Sequence, residues 1–479
     1  LVGSEMCIRD SGEPMTKTEE ASVQAEQIVW DQALIEKYNY SGPRYTSYPT
    51  ALEFNEGFGY PDFVQAAGQY PARNLSLYVH IPFCHKLCYY CGCNKVITRH
   101  QHKADQYLDY LEQEIKAQAP LFKERLVTQL HWGGGTPTYL SEPQTRRLMA
   151  MLREHFHFAE EGEISIEVDP REIELSMLDV LRELGFNRIS LGVQDFNKAV
   201  QVAVNREQDN DFIRAMLVRA RELGFRSTNL DLIYGLPHQN RESFHHTLEE
   251  VLKTDPARLS IFNYAHLPSR FAAQHKLKEA DMPAPQEKLA MLQDTIAFLT
   301  GQGYQFIGMD HFAKPDDELA VAQREGKLHR NFQGYTTQGD CDLLGLGVSS
   351  ISMMGDAYSQ NQKDLKTYYA QVESLGHAQW KGCSLNRDDL IRREVIKRLI
   401  CDFSLNFAAV EQAHGLVFKE YFAEDLNLLQ TFIDDGLVRM TEEGLEVVST
   451  GQLLIRNICM CFDVYLRNKA RQQQFSRVI

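Results

Sequence analysis

Four of the ten cysteines lie in one short stretch of the chain, and their spacing restricts the chemistry they can do. The stretch reads His80-Ile-Pro-Phe-Cys84-His-Lys-Leu-Cys88-Tyr-Tyr-Cys91-Gly-Cys93. Three thiolates in the pattern C-x3-C-x2-C on a single loop suit a [4Fe–4S] cluster that leaves one iron open. Because such clusters normally take four cysteines, an open iron predicts an added ligand and chemistry at that iron.

Zinc is the alternative at this loop. It prefers a closed tetrahedron, commonly built from two separated CxxC pairs, and the sequence offers no second pair. A zinc site would therefore need Cys93, His80 or His85 as its fourth ligand. Simple burial of all the cysteines is the remaining alternative, and the spacing favours it least.

A second set of residues stands where predicted parallel strands end. Because the carboxyl ends of parallel barrel strands meet on one face, these residues are expected to converge there. Any one alone could be a tight turn, a polar cap or a solvated strand end, but their convergence beside the cysteine loop favours a site. The set comprises Gly133-Gly-Gly-Thr-Pro137, Glu167, Asp169, Gln194, Asp231 and Ala265.

Their chemistry describes one ligand. The glycine run lets backbone approach closely and offers N–H groups to a carboxylate. Glu167 and Asp231 can accept hydrogen bonds from ribose hydroxyls, and Arg206 can pair with a carboxylate. A ligand with an amino acid end, a ribose and a base is S-adenosylmethionine.

The elements that must position these residues alternate along the chain between short apolar strands and amphipathic helices. The motif Arg182-Glu-Leu-Gly-Phe186 recurs at residues 221–225, and each copy ends a helix with glycine before the next strand. Ser141 with Gln144 is a capping-box pair that begins another helix. Repeated βα units predict a parallel sheet, and about six of them an α/β fold with a full or partial (βα)6 barrel. The predicted strands are Leu75–Ile81, Thr128–Trp132, Glu163–Val168, Arg188–Val193, Ser227–Ile233, Arg258–Tyr264 and, as a seventh, Tyr304–Met309.

The rest of the chain divides around this barrel. Residues 1–30 are polar and aperiodic, and we predict that they are disordered or an artefact, with Met15 the natural start. Residues 31–74 form a segment that covers the barrel, and residues 75–386 the barrel core with its extension. Residues 387–479 are predicted to be a mostly helical, winged-helix-like domain, with a strand at Leu445–Thr450 between helices Phe418–Gly436 and Gln452–Leu466.

Composition excludes several classes of protein. The chain has 479 residues, 43% hydrophobic and 24% charged, with a net charge of −15. That acidity argues against a nucleic-acid coat, and no apolar run approaches the ~18–20 residues of a membrane span. Charges at Glu5, Arg9 and Asp10 leave no apolar signal segment. A large chain without a signal peptide predicts a reducing, cytoplasmic setting, where clustered cysteines indicate metal or redox chemistry.

Taken together, these motifs resemble the radical S-adenosylmethionine superfamily and, within it, the bacterial oxygen-independent coproporphyrinogen III oxidases (dehydrogenases). The resemblance runs from about residue 30 to residue 479. One departure is Tyr90, where some members carry Phe, and an edge or stacking contact survives that change. The motifs that carry it are PRYTSYPT (43–50), YVHIPFCHKLCYYCGCN (78–94), HWGGGTPTYL (131–140), EVDP (167–170), GVQDFN (192–197), VNREQ (204–208), DLIYGLP (231–237) and NFQGYTTQ (331–338).

The resemblance implies a role for each matching residue. Cys84, Cys88 and Cys91 would bind the [4Fe–4S] cluster. A first S-adenosylmethionine would contact Tyr78, Gly134 and Glu167. The contacts of a second S-adenosylmethionine would be Tyr90, Gly135, Thr136, Gln194, Arg206, Asp231, Ala265 and Ile351.

The resemblance also implies the reaction. A 5′-deoxyadenosyl radical would start the oxidative decarboxylation of two propionates of coproporphyrinogen III to vinyls, which gives protoporphyrinogen IX. A separate reductant protein would supply electrons to a monomeric enzyme. The substrate carries four carboxylates, so an acidic protein must build a locally basic mouth. Arg44, Lys95, Arg99 and the C-terminal arginines are the cations considered for it, although solvated surface charge is their commoner role.

Two rival functions remain. A haem chaperone of the same superfamily would share the three cysteines and GGGTP, but that branch lacks the PRYTSYPT segment and the fourth cysteine of the loop. A winged-helix transcription factor with a metal sensor would bind DNA with strong salt dependence. The basic tail at Arg456, Arg467, Lys469, Arg471 and Arg477 is better interpreted as a solvated face or a cover over the barrel.

Overall fold

The computed structural model describes residues 28–469. Residues 1–27 of the segment 1–30 predicted to be disordered, the proposed start at Met15 and the cations Arg471 and Arg477 lie outside the described residues.

Six of the predicted strands lie side by side and parallel, as a (βα)6 partial barrel requires. In the large sheet the order is β16-β15-β14-β13-β1-β4-β5-β6-β7-β8-β10-β9, with β1, β4, β5, β6, β7 and β8 its parallel centre. The strands are β1 (Asn74–Ile81), β2 (Phe83–Cys84), β3 (Val96–Ile97), β4 (Leu126–Gly134), β5 (His157–Val168), β6 (Arg188–Gln194), β7 (Ser227–Tyr234), β8 (Arg258–Asn263), β9 (Gln305–Gly308), β10 (His311–Ala313), β11 (His329–Asn331), β12 (Gly334–Thr336), β13 (Cys341–Leu346), β14 (Ile351–Met354), β15 (Ala357–Asn361) and β16 (Gln379–Ser384).

The two faces of the parallel centre differ in composition. On the inner face the register sets Tyr78 beside His131, His131 beside Ser165, and Asp231 beside Ser260. Alternate residues of the same strands point outward and pack against the helices. Seven of these outward residues are at most 2% exposed: Leu77, Leu130, Ile166, Ile189, Leu191, Leu230 and Leu259.

The helix boundaries predicted at Ser141, Gly185 and Gly224 are confirmed. The Ser141 hydroxyl accepts from the backbone N–H of Gln144 at 3.3 Å, and Gln144 Oε1 accepts from the backbone N–H of Ser141 at 2.9 Å. Gly185 and Gly224, in the repeated motif, follow their helices with φ of +102° and +83°, a conformation that glycine adopts at little cost. The helices of this region are α1 (Gln32–Tyr38), α2 (Tyr60–Ala67), α3 (His102–Gln118), α4 (Glu142–His155), α5 (Met177–Glu183), α6 (Lys198–Ala203), α7 (Asn210–Glu222), α8 (Arg241–Leu252), α9 (Pro285–Gly301), α10 (Glu318–Arg324) and α11 (Leu365–Leu375).

The sheet has more strands than predicted at both edges. β13 joins β1 in parallel, and β14 to β16 extend that edge as an antiparallel meander. β5 begins at His157, six residues before the predicted start at Glu163, because the polar segment before Glu163 pairs through its backbone with Leu126 and Val127. A strand held by backbone pairing alone shows no apolar alternation, so the sequence pattern does not reveal it.

The C-terminal residues combine helices with the antiparallel sheet β17-β19-β18, an arrangement typical of winged-helix folds. Two predicted helices are wrong in detail. Phe418–Gly436 breaks at Phe422, and the second divides at residues 461–463, where the Asp463 side chain caps the last helix. The predicted strand ends at Val447. The elements are α12 (Arg387–Asp402), β17 (Ser404–Asn406), α13 (Phe407–His414), α14 (Phe418–Tyr421), α15 (Ala423–Asp434), β18 (Val438–Met440), β19 (Gly444–Val447), α16 (Ile455–Met460) and α17 (Val464–Asn468).

The N-terminal segment and the C-terminal residues lie against each other. Tyr38 stacks on Phe432 with ring centroids 4.5 Å apart, and the Tyr45 hydroxyl donates to Asp463 at 2.8 Å. Arg456 is buried and donates to the carbonyl of Pro43 at 3.1 Å. This arginine therefore joins the tail to the covering segment, as a cover over the barrel requires.

None of the helices within residues 28–469 combines the length and the apolarity needed to cross a bilayer.

Candidate radical-chemistry site

The cysteine loop follows β1 directly and folds against the ends of the neighbouring strands. Cys84 and Cys88 are buried, Cys91 is partly buried and Cys93 is exposed. The Cys84 sulfur lies 3.2 Å from the Thr136 hydroxyl, which belongs to the glycine-rich turn after β4. The loop and that turn, predicted as separate motifs, are therefore in direct contact.

The thiols lie close enough to influence one another. Burial raises the pKa of Cys84 to about 11, and charge on Cys91 and Cys88 adds to that rise. The Cys93 thiol donates to the Cys91 sulfur and lowers the pKa of Cys91 to about 6, with help from Lys95. Cys91 is thus more readily ionised than Cys84 or Cys93.

Two guanidinium groups face the Cys88 sulfur. Arg171 Nη2 lies 3.3 Å from it and Arg206 Nη1 lies 3.5 Å from it. Asp169 pairs with both arginines, at 2.8 Å and 3.6 Å. Because thiolates are the ligands of iron–sulfur clusters, this positive charge suits an anionic group held at Cys88.

The glycine turn leaves no room for side chains. A Cβ on Gly135 would lie 2.6 Å from the carbonyl oxygen of Pro82 and 3.1 Å from the Cys84 sulfur. Gly134 has φ of +122°, and its N–H points to Glu167 Oε2 at 3.3 Å. These glycines let the turn pack against the cysteine loop and let backbone N–H groups approach a ligand.

A cavity of about 700 Å³ opens beside the loop. The structure brings together there all three residues predicted for the first S-adenosylmethionine, Tyr78, Gly134 and Glu167. Ile351, which the sequence assigned to the second molecule, lines the same cavity, and so does Cys93. This volume is ordinary for a ligand of that size.

The other predicted residues surround the loop from the next strands. Gln194 ends β6 with φ of +65°, and its buried Oε1 has no hydrogen-bond partner among the described residues. Arg206 donates to the carbonyl of Gly192 at 2.6 Å, and its Nε is likewise unpartnered within residues 28–469. Asp231 lies beside Gly192 in the sheet, and burial raises its pKa to about 6. Unpartnered buried polar atoms are expected where a ligand belongs.

Two of the predicted contacts lie further round the barrel. Ala265 follows β8 and lines a second cavity of about 520 Å³ with Tyr264. Tyr90 packs in an apolar cluster with Tyr264, and its carbonyl accepts from Gln274 at 3.2 Å. The structure therefore does not gather all eight residues of the second set around one cavity.

Sequence reasoning missed several residues of the site. His131 accompanies Tyr78 in the 700 Å³ cavity, as do Phe332 and Gln333. The period of two in β4, which puts His131 on the face of Gly133, could have revealed the histidine. Arg171 stands two residues after Asp169, and no sequence signal points to its contact with Cys88.

The residues present suit a cluster with an amino acid-bearing ligand beside it. Three thiols lie on one loop, two arginines face one of them, and a glycine turn packs against another. Within residues 28–469, no group of three or more His, Cys, Asp or Glu side chains forms a preassembled metal site.

Comparison with known proteins locates the same two regions. The radical SAM superfamily model matches residues 78–251, and the HemN C-terminal domain model matches residues 385–454. The oxygen-independent coproporphyrinogen III oxidase of Escherichia coli K12 is 69% identical over 454 residues, covering 95% of this chain and 99% of that protein. That of Pseudomonas aeruginosa is 52% identical over 457 residues, covering 94% and 99%.

The solved structure of E. coli coproporphyrinogen III oxidase (HemN), described as a radical SAM enzyme, superposes with a TM-score of 0.90. It is 67% identical in sequence and covers 92% of this chain and 100% of its own.

Proposed function

The chain belongs to the oxygen-independent coproporphyrinogen III oxidases of the radical SAM superfamily, and from this premise we propose how its own residues serve that reaction. It is an oxidoreductase of haem biosynthesis that decarboxylates two propionates of coproporphyrinogen III oxidatively, giving protoporphyrinogen IX. Its cofactors are a [4Fe–4S] cluster and S-adenosylmethionine. The chain matches these oxidases over nearly their whole length, which favours this activity over that of a haem chaperone.

We infer that Cys84, Cys88 and Cys91 hold the cluster and that Cys93 does not. Cys93 follows Gly92 and lines the 700 Å³ cavity beside Tyr78. Cys93 is the most exposed of the four thiols, so it can contact a ligand in the cavity while the more buried Cys84, Cys88 and Cys91 hold the cluster. When bound, the cluster and S-adenosylmethionine supply a reducing electron and a carbon-centred radical.

Tyr78, Gly134 and Glu167 are assigned to the first S-adenosylmethionine. The Gly134 N–H and the Glu167 carboxylate stand together at the mouth of the cavity, so a carboxylate and an amino group of one ligand find a donor and an acceptor there. His131 Nε2 lies 3.3 Å from Glu167 Oε1 and holds that carboxylate in place.

A second S-adenosylmethionine is assigned to the neighbouring strand ends. The unpartnered Gln194 Oε1 and Arg206 Nε support a polar ligand at this position. Arg206 Nη1 also lies 3.5 Å from the Cys88 sulfur, so this residue is close both to the cluster position and to the position of the second S-adenosylmethionine. The proposed contacts are Tyr90, Gly135, Thr136, Gln194, Arg206, Asp231, Ala265 and Ile351.

One observation carries these assignments: the cysteine loop contacts the turn after β4, and that turn borders the polar inner face of the parallel strands. Ile351 of β14 and residues 332–333 also line the cavity at this face and would cover part of a bound ligand. Exclusion of water protects a radical from side reactions.

The direct test is anaerobic turnover. Reconstituted full-length protein receives a reductant, S-adenosylmethionine and coproporphyrinogen III, and the porphyrin products and 5′-deoxyadenosine are separated and quantified. We expect protoporphyrinogen IX with formation of 5′-deoxyadenosine. Retained haem with neither product would instead indicate a chaperone.

We infer further that a separate reductant protein delivers the electron and that the chain acts as a monomer in the cytoplasm. The exposed Cys93 and Asn94 mark the side of the loop open to such a donor. Light scattering of the reconstituted protein tests the monomer, and a stable dimer would contradict it.

A further inference from the structure

A smaller cavity of about 280 Å³ lies next to the 700 Å³ cavity. Its walls come from the covering segment at Tyr45 and Tyr48, from β11 and from α12. The two cavities share Leu343, and they lie along the same face of β1, where Ser76 lines the smaller one and Tyr78 the larger. Residues two apart on a strand are ~7 Å apart, so the smaller cavity continues the larger one away from the cysteine loop.

The smaller cavity is lined by an excess of positive charge. Arg73, Arg330, Arg393 and Lys397 all border it. The buried carboxylate on its wall, Asp342, is already held by Arg125 at 2.8 Å and by Arg73 at 3.2 Å.

The other two acids on the wall do not cancel the excess. Glu394 is half-exposed and lies 3.7 Å from Lys397 and 3.8 Å from Arg398. Asp340 is exposed to solvent. Neither reaches the Arg330 guanidinium by a hydrogen bond or an ion pair among the described residues.

Arg330 has unused donors. Its side chain belongs to a residue only 8% exposed, and neither Nε nor Nη1 has a hydrogen-bond partner within residues 28–469. Nη2 reaches the carbonyl of Arg44 at 3.5 Å, and the guanidinium lies over the Tyr335 ring at 4.9 Å. Burying a cation without an acceptor is costly, so an anion is expected to reach it.

Three of the cations considered from the sequence are engaged elsewhere. Arg44 pairs with Asp310, Lys95 donates to the carbonyls of Cys91 and Cys93, and Arg99 pairs with Glu172 at 2.8 Å. Arg330 differs from them because it is buried, borders a cavity and has two guanidinium nitrogens, Nε and Nη1, without a hydrogen-bond partner among the described residues.

We propose that the smaller cavity binds a carboxylate of a porphyrinogen propionate, with Arg330 as its anchoring residue. The inference rests on the proposed function. A volume of 280 Å³ is too small for a tetrapyrrole yet ample for one propionate arm, so the ring lies outside it, on the side of the 700 Å³ cavity and next to the first S-adenosylmethionine. The anchored arm points away from the cysteine loop, so it is one that does not react in that orientation.

The test is steady-state kinetics of the anaerobically reconstituted holoenzyme with Arg330→Gln. Loss of a charge-assisted hydrogen bond predicts a KM for coproporphyrinogen III raised about 10- to 100-fold. We expect kcat to change far less, and the KM for S-adenosylmethionine and the iron content to stay at wild-type values. Arg330→Lys should restore part of the affinity, because it keeps the charge but loses the planar fork.

Arg146→Gln is the matched control. It removes one positive charge from the outer helix α4, where Arg146 pairs with Glu142 and Glu183 in solvent, and it should leave both KM values unchanged. If Arg330→Gln does not fold, Lys397→Gln changes the same cavity and should raise the porphyrinogen KM about threefold or more.

Three outcomes overturn the inference. The first is an unchanged porphyrinogen KM in the folded Arg330→Gln protein, or in Lys397→Gln where Arg330→Gln fails to fold. The second is an equal loss of affinity for S-adenosylmethionine. The third is thermal stabilisation by inorganic phosphate that depends on Arg330, together with a porphyrinogen KM that does not depend on it. That result would identify the ligand of the smaller cavity as a free anion. A wild-type protein without turnover would instead refute the proposed function itself.

Discussion

The outer and inner faces of the same six strands serve opposite purposes. On the outer face Trp132 is fully buried and meets Phe186 edge-on with ring centroids 4.8 Å apart. One residue earlier on the inner face, His131 bonds Ser165 at 2.6 Å and borders an open cavity. Adjacent residues of one strand thus divide between holding the fold together and holding ligands.

The inner face costs stability. Burial raises the pKa of Asp231 to about 6, and buried polar atoms of Gln194 and Arg206 lack partners among the described residues. The outer face of the same strands is apolar and close-packed, and its burial stabilises the fold. Substitutions on the outer face should therefore change stability, and substitutions on the inner face should change function.

The largest expected effect lies in the cysteine loop. Cys84→Ser, Cys88→Ser and Cys91→Ser should each abolish the cluster and all turnover, because a cluster with one open iron has no spare ligand. Wild-type protein should carry about four iron atoms per chain after anaerobic reconstitution. Iron, sulfide and 5′-deoxyadenosine are measured in every variant.

Cys93→Ser is the matched control within the same loop. It should keep most of the iron and sulfide, even if turnover falls through its position in the cavity. If it loses its metal as completely as the other three, the site is a closed four-cysteine centre and the open-iron mechanism fails. Stoichiometric zinc without iron-dependent activity would contradict it equally.

The next effect separates the two faces directly. Trp132→Ala removes a buried aromatic from the outer face and should lower the free energy of unfolding by about 3–5 kcal/mol. His131→Ala, one residue away, should cost much less stability but impair turnover. Chemical denaturation of both apoproteins checks the contrast, and equal losses of stability would remove the distinction between the faces.

Much of this arrangement could be predicted from the sequence. Apolar alternation locates all six parallel strands, because outward residues such as Leu130 and Ile166 must be buried by the helices. The glycines of the repeated motif mark the helix ends, because a positive φ is required there. The cysteine loop and the glycine turn are local patterns, and their contact follows from the parallel topology.

Other features could not be predicted. The edge strand β13 depends on pairing with distant β1, which leaves no local pattern, and β14 to β16 join the sheet only through β13. The contact between Arg171 and Cys88 joins residues 83 apart, and the Arg330 cavity forms only where three separate segments meet. Such long-range placement is decided by tertiary packing, which spacing along the chain does not record.

Substitutions of Glu167 test whether an inner-face residue affects ligand binding without affecting stability. Glu167→Ala should raise the KM for S-adenosylmethionine by about tenfold or more, because it removes a charged partner. Iron content and unfolding temperature should stay near those of wild type, since the side chain is 46% exposed. Glu167→Gln keeps an acceptor for the Gly134 N–H and should lose less. Unchanged turnover of Glu167→Ala at limiting S-adenosylmethionine would contradict the role.

The smallest expected effect concerns Asp231. Its ionised side chain lowers the stability of the fold instead of raising it. Burial raises its pKa from an ordinary value near 3.8 to about 6, although Asn229 and Ser190 donate to it. Between those pH values the folded chain holds a proton that the unfolded chain has released, so stability falls as pH rises through this window. Asp231→Asn cannot ionise and therefore avoids the loss.

We expect the Asp231→Asn apoprotein to be more stable than wild type by about 1–2 kcal/mol at pH 7–8. The difference should vanish below about pH 4, where Asp231 is protonated in both states. Unfolding by urea at pH 4, 6 and 8 measures it, and Asp211→Asn, the same substitution on the exposed start of α7, is the matched control. A variant that is both more stable and less active would show that the Asp231 charge serves ligand binding and lowers the stability of the fold. Equal stability at every pH would mean that the carboxylate is adequately solvated and that the inner face is not strained at this position.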